Sequence, residues 1–261
     1  MYATERQENI AREVRQNGNI SVRDIAERFD VTTETARRDL AALEKHGLLR
    51  RVHGGAVSAE RASITETGVA ERQHSHEAEK TRIATLALSA VPAGFRGSVL
   101  VDAGTTTGAL LEPLAARLTG GRAEIVTNAV AHAAALAGRD GLDLTVLGGR
   151  VRSVTGAAVG ATTVAALEAI RPDIAFVGAN GLSAAFGLST PDPDEAAVKR
   201  AMVTAARRTI ALVDSSKFDV ESLHRFAELS EIDVLVTNEQ PSADLATVLA
   251  AHDVEVWDGT P

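Results

Sequence analysis

The chain has 261 residues, comfortable for two compact domains, and 45% of them are hydrophobic, which supplies a core and argues against intrinsic disorder. It contains no cysteine, which excludes disulfides, thiolate metal sites and cysteine catalysis and suits a cytoplasmic protein. The net charge of −8 is unevenly divided: residues 1–57 carry ten Lys/Arg against nine Asp/Glu, and the remainder 17 against 26. An acidic body repels nucleic acid, so DNA contact is expected from the N-terminal part alone. The charged start of the sequence and the lack of a membrane-length apolar run lead us to expect neither secretion nor membrane insertion.

In chain order, Ile10 and Val14 mark the buried side of a helix over about 4–17, stopped by Gly18. Ser21 is an N-cap, with Asp24 three residues on resembling a capping box. Val22, Ile25, Ala26 and Phe29 then give one apolar helical face. After the turn at Asp30 and Val31, a third helix is capped by Thr32 or Thr33. Its buried stripe is Ala36, Leu40 and Leu43, and Gly47 stops it. A basic ribbon with Arg50, Arg51 and His53 follows and ends in Gly54-Gly55. The order helix–turn–helix–wing puts a second helix into a DNA major groove. Removing the stripe leaves Thr32, Thr33, Glu34, Thr35, Arg37 and Arg38 on the exposed, N-terminal part of that helix. Arg can bond guanine bidentately and Thr can touch a base edge or a phosphate. Arg50, Arg51 and His53 are placed for phosphate or minor-groove contact. The competing reading is a three-helix packing module with a solvated charged face.

Residues 58–76 are polar and weakly periodic and read as a linker, giving domains 1–57 and 77–261. A helical pattern through Ile83, Leu86, Ala87 and Ala90 ends near Pro92. Strands are then expected at 98–101, 123–126, 142–147, 174–177, 209–213, 232–236 and 254–257. Helices are expected at 106–118, 129–137, 159–170, 194–207 and 243–251. Short apolar strands alternating with helices indicate a mostly parallel α/β sheet.

Ligands of such sheets bind at the carboxyl ends of the strands. The first end is Asp102-Ala-Gly104-Thr105-Thr106-Thr107, with a close-approach glycine, hydroxyls and a helix N-terminus that together suit a phosphate, although such a turn on its own is more often a plain helix cap. No Gly-Lys-Ser/Thr follows, so it is not a P-loop. Thr127-Asn128, Gly148-Gly149-Arg150, Gly178-Ala-Asn180-Gly181 and Asp214-Ser-Ser-Lys217 fall at equivalent positions. Glu195 and Lys199 lie one helical turn apart and either face the cleft together or form an exposed i,i+4 salt bridge. Arg152 is a second anion contact or a solvated loop residue.

The N-terminal part resembles the DNA-binding domain of the DeoR/GlpR family of bacterial sugar-metabolism repressors. The resemblance rests on Val31-Thr32, Thr35-Ala36-Arg37-Arg38-Asp39-Leu40, Leu43, Gly47 and Arg51-Val-His53-Gly54-Gly55-Ala56. Most members carry a larger branched residue at the place of Ala36. The C-terminal part resembles the same family's sensor domain, itself similar to ribose-5-phosphate isomerase and glucosamine-6-phosphate deaminase. That match runs through Asp102 to Thr107, Thr127-Asn128, Leu147-Gly-Gly149, Asn180-Gly181 and Gly187-Leu-Ser-Thr190. It continues through Glu195-Ala-Ala-Val-Lys199 and Asp214-Ser-Ser-Lys-Phe218, with Asp219 standing where a Gly is frequent.

The resemblance implies that Gly104, Thr105, Thr106, Thr107, Lys199 and Lys217 hold an effector's phosphate. Asp102, Asn128, Arg150 beside Gly149, Asn180 and Glu195 would address its hydroxyls. The partners implied are double-stranded operator DNA, a phosphorylated sugar (fructose 1-phosphate as first candidate) and further copies of the chain in a dimer or tetramer. No catalytic residue, metal or cofactor is expected. The alternative is a phosphosugar isomerase or deaminase fused to a DNA-binding domain. Asn180 argues against it, because it cannot serve as the base that isomerisation requires.

Overall fold

A computed structural model describes residues 3–17, 19–52, 54–58, 66, 68–118 and 123–259. The chain divides into two compact units, Met1–Thr65 and Glu66–Pro261. Of the sequence expectations, the helix stop at Gly18, the wing residue His53 and most of the stretch 59–67 lie outside the described residues.

In the first unit α1 (Ala3–Asn17), β1 (Asn19–Ser21), α2 (Val22–Phe29), α3 (Thr33–Lys45), β2 (Leu49–Val52) and β3 (Gly55–Ser58) follow one another. Ser21 and Asp24 form the complete capping box at the start of α2. Asp30, in the left-handed region at φ 50°, turns the chain between α2 and α3. Thr32, not Thr33, caps α3, its hydroxyl accepting the Thr35 N–H at 3.2 Å. Ile10, Val14, Ile25, Leu40, Leu43 and Leu49 make the core, and Ala36 is fully buried within it. The strands pair in the order β1-β3-β2. Gly55 is obligatory there, because a Cβ would lie 2.2 Å from the Ile20 carbonyl oxygen of the neighbouring strand. A buried ion pair, Arg6 to Asp39 at 2.6 Å, ties α1 to α3, and Gln7 bonds the second Asp39 oxygen at 2.8 Å.

The second unit runs α4 (Val69–His74), α5 (Glu77–Ala87), β4 (Ser98–Val101), α6 (Thr105–Leu118), β5 (Glu124–Thr127), α7 (Val130–Leu136), β6 (Asp143–Val146), β7 (Arg150–Val151), β8 (Ala158–Val159) and α8 (Ala161–Glu168). It continues with β9 (Ile174–Gly178), β10 (Gly181–Ser183), β11 (Gly187–Thr190), α9 (Pro193–Ala205), β12 (Thr209–Leu212), β13 (His224–Ala227), β14 (Val234–Val236), α10 (Ala243–Ala251) and β15 (Glu255–Trp257). Seven parallel strands form the main sheet in the order β15-β14-β12-β9-β4-β5-β6. Alternate side chains serve opposite faces. Val99, Val101, Ile125, Phe176, Ile210 and Leu212 pack with Ile83 of α5 and Leu110 and Leu114 of α6. Leu100, Val126, Ala175, Val177 and Ala211 pack with Val198 and Met202 of α9 and Leu249 of α10. The central strands β4, β9, β12 and β14 are therefore almost wholly apolar and buried, as a sheet covered on both faces requires.

The structure adds elements that hydrophobic periodicity does not show. Residues 58–76, expected as a linker, contain α4, which belongs to the second unit. None of its side chains is buried among apolar partners, so it leaves no apolar signature. It is held instead by polar bonds: Val69 N–H to Val154 O at 2.9 Å, and the Lys80 ammonium on the carbonyls of Arg72 and, at 2.6 Å, Ser75. The strands of the β7–β8 pair and of the three-stranded sheet β10–β11–β13 are likewise too brief to give an alternation.

Candidate functional site

From β4 the chain moves to β5 and β6 on one side, then returns to β9 and β12 on the other. The reversal between β4 and β9 opens a crevice at their carboxyl ends, the position at which doubly wound sheets bind ligands. A cavity lies there. Asp102, at the end of β4, accepts the Gly178 N–H from the end of β9 at 2.7 Å and pairs with the Lys199 ammonium through the same oxygen. Lys199 also donates to Gly178 O at 3.0 Å and lies over the Phe226 ring.

Of the residues expected to bind an effector, Asp102, Gly104, Thr105, Thr106, Asn128, Asn180, Glu195, Lys199 and Lys217 line this cavity. Three others are placed elsewhere. Thr107 is fully buried and donates to the carbonyls of Asp102 (2.7 Å) and Gly104 (2.8 Å), so it shapes the loop from beneath. Gly149 packs against α8, where a Cβ would stand 2.1 Å from the Thr163 hydroxyl. Arg150 is exposed and pairs with Asp194. The chain leaves the sheet after β6 to make the β7–β8 pair, and this carries Arg150 away while bringing Thr155 and Ala157 to the cavity.

Glu195 and Lys199 do not pair with each other. Asp192 caps α9, with Pro193 in its first turn, and accepts the Glu195 N–H at 2.9 Å, which fixes Glu195 at the helix start. Its carboxylate takes hydrogen bonds from Arg152 and Thr155, both at 2.5 Å. Arg152 is not solvated, and it is not among the residues that line the cavity. It is largely buried among Glu66, Asp192 and Glu195, and the hydrogen bonds it donates to Glu66, then to Glu195, raise its pKa further against the cost of burial.

The remaining wall comes from residues that the sequence pattern had not singled out: Arg72, Ser75, His76 and Lys80. The Nε and one terminal nitrogen of Arg72 are buried with no hydrogen-bond partner among the described residues. Burial depresses the Lys80 pKa, opposed by the charge of Asp214. Asp214 itself is buried, yet its pKa is lowered, because Lys217, the Ser216 hydrogen bond, His76 and Lys80 together outweigh desolvation. The side-chain oxygen of Asn128, which also lines the cavity, is buried without a donor among the described residues, while its amide nitrogen is committed to Ala158 O at 2.9 Å. The cavity wall thus holds both cationic donors that await acceptors and an acceptor that awaits a donor. Behind the Gly104 loop, buried His132 has its pKa lowered by desolvation, against the opposing charge of Asp102.

Asp219 takes φ 59° and donates its N–H to Leu182 O at 2.8 Å. A left-handed turn residue explains why glycine suits this position, and Asp is among the side chains that tolerate it.

In the first unit Thr32, Thr33, Glu34, Arg37 and Arg38 are exposed and Thr35 is half-buried, all in the first two turns of α3 or at its cap. Arg50 and Arg51 are exposed on β2, with the Arg51 N–H held by Glu44 at 2.7 Å.

A family model described as the DeoR-like helix-turn-helix domain matches residues 6–62, and one described as the DeoR C terminal sensor domain matches residues 75–239. The chain belongs to the DeoR family. Its DeoR relatives include the putative aga operon transcriptional repressor of Escherichia coli O157:H7, 33% identical over 97% of this chain and 93% of that one. Another is the glycerol-3-phosphate regulon repressor of Escherichia coli K12, 30% identical over 98% and 99%. Among solved structures, ribose 5-phosphate isomerase A of Methanocaldococcus jannaschii is similar over 55% of each chain, at 19% identity and a TM-score of 0.40. The DeoR helix-turn-helix match contains every residue expected at DNA, and the sensor match contains every expected effector residue. Arg72 falls between the two matches.

Proposed function

We propose that this chain is a transcriptional repressor of sugar-metabolism genes that is released from its operator by a phosphorylated sugar. The observation that carries the reading is the polarity of the cavity. The unpartnered nitrogens of Arg72, beside Lys80 and Lys217, call for an anion with several acceptor oxygens, and the unpartnered Asn128 oxygen calls for a hydroxyl. A sugar phosphate has both. The names of the aga operon and glycerol-3-phosphate regulon relatives point the same way. Fructose 1-phosphate is the first candidate, on the resemblance of the whole chain to regulators of fructose and phosphotransferase sugar operons.

The geometry disfavours isomerase chemistry. A general base must be free to take a proton next to a carbonyl. Glu195 is engaged by Arg152 and Thr155, and Asp102 by Lys199 and Gly178 N–H. Repression needs two recognition helices on repeated half-sites, so the working form is a homo-oligomer. Its effector must bind more tightly to the arrangement with poorer DNA complementarity.

Thermal stabilisation across sugar phosphates, with unphosphorylated sugars and nucleotides as controls, tests the reading. A selective rise in melting temperature with one sugar phosphate, followed by release from operator DNA, is the expected result. Equal shifts from unphosphorylated sugars, or turnover of any phosphosugar, would overturn it.

A further inference from the structure

Residues 66–80 open the second unit and directly follow the stretch that leads out of the first. The same residues close one side of the cavity through Arg72, Ser75, His76 and Lys80. Their start is pinned to the β7–β8 region at two points. Val69 N–H bonds Val154 O, and Glu66 takes two parallel hydrogen bonds from Arg152, at 2.7 and 3.1 Å.

Arg152 does not belong to Glu66 alone. The same guanidinium bonds Glu195, which lines the cavity, and stands 3.1 Å from Asp192. Side-chain exposure is 9% for Glu66, 12% for Arg152 and 8% for Glu195, so solvent screens these charges little. Breaking a buried pair ordinarily strands a charge, and that cost holds such pairs shut. Here three carboxylates share one cation. Arg152 can let Glu66 go and remain paired with Asp192 and Glu195, while Glu66, at the edge of the unit, can move into water. The cluster is therefore built to exchange a partner.

The pull comes from the other end of the segment. Arg72 lies six residues beyond Glu66, on α4, with two buried nitrogens unsatisfied. An anion that satisfies them draws on the helix whose start Glu66 pins.

We propose that the Glu66–Arg152 pair is a latch that opens when the cavity is filled, passing the occupancy sensed by Arg72 to the segment that leads to the DNA-binding unit. The proposal rests on the reading of the cavity as the effector site. Glu66 acts as a positioning residue, outside both the cavity lining and the DNA face.

The test is Glu66→Gln in the full chain, which removes the charge but keeps the shape. An opened latch mimics the filled cavity. Operator affinity without ligand falls by about fivefold or more, and fructose 1-phosphate binds more tightly than to the wild type, because the two affinities draw on opposite sides of one equilibrium. Glu66→Asp restores both values toward wild type. A structural role alone would weaken both affinities or neither, and either result overturns the latch. Should neither fructose 1-phosphate nor inorganic phosphate bind the wild-type protein, the effector reading fails by itself. The operator affinity of Glu66→Gln still decides the latch: a fall reversed by Glu66→Asp supports it, and no change overturns it.

Discussion

The cations expected at DNA and the cations around the cavity are held in opposite ways. On the first unit, Arg37 and Arg38 stand in solvent, and Arg37 has only a loose 3.8 Å pairing with Glu34 one turn away. In the second, Lys199 is buried against Asp102, 97 positions distant, and Arg152 against carboxylates 43 and 86 positions away. Exposed cations cost little to keep and stay available for phosphates and base edges. Buried cations must be partnered, so most of those in the cavity are already spent on the protein. What is left over, the two nitrogens of Arg72, is therefore where an anionic ligand gains most.

The contrast can be broken from either side. The largest effect is expected from Arg37→Ala with Arg38→Ala. At about 1–3 kcal/mol for each lost base contact, operator affinity should fall at least about thirtyfold in a gel-shift titration, with stabilisation by sugar phosphate intact. Loss of both together would mean misfolding instead. Next, Asp39→Ala leaves Arg6 buried and unpaired and should cost the first unit about 3 kcal/mol in denaturant unfolding, with the second unit's transition unmoved.

Arg72→Ala should weaken sugar phosphate binding by about 10–100-fold in calorimetry, the scale of hydrogen bonds to a charged group, and leave operator binding unchanged. Lys217→Ala should leave a repressor that no longer answers the sugar. A smaller effect concerns His132. Its pKa is depressed in the folded state, so the unfolded chain binds the proton more readily. Stability is then full above the ordinary histidine value of about 6.5 and is lost as pH falls from there toward the folded value. His132→Gln should flatten that part of the melting-temperature profile. The smallest is Asp219→Gly, which relieves a left-handed residue and should shift stability by less than about 1 kcal/mol.

Legibility followed the same divide. Ser21, Thr32 and Gly47 punctuate the helices of the first unit through bonds that span three to five residues, and Val22, Ile25, Leu40 and Leu43 repeat at helical spacing. Such signals sit within one short window. In the second unit the apolar strands and the small polar residues after them marked the sheet and the end that carries the cavity. Arg150 and Arg152 looked alike there. Only the departure of the chain into β7 and β8 sends one to the surface and the other into a carboxylate cluster. Segment 66–80 was the hardest to read, since polar bonds to Val154, Arg152 and its own Lys80 hold it in place of an apolar stripe.

By itself, the sequence determined the helix–turn–helix and its exposed arginines, the parallel sheet, and the loop chemistry at the strand ends. Each of these depends on interactions between near neighbours or on a simple alternation of apolar residues. Tertiary structure alone decided which charges are already neutralised and which are left for a ligand. That is settled by partners brought together from distant parts of the chain, and no local spacing records it.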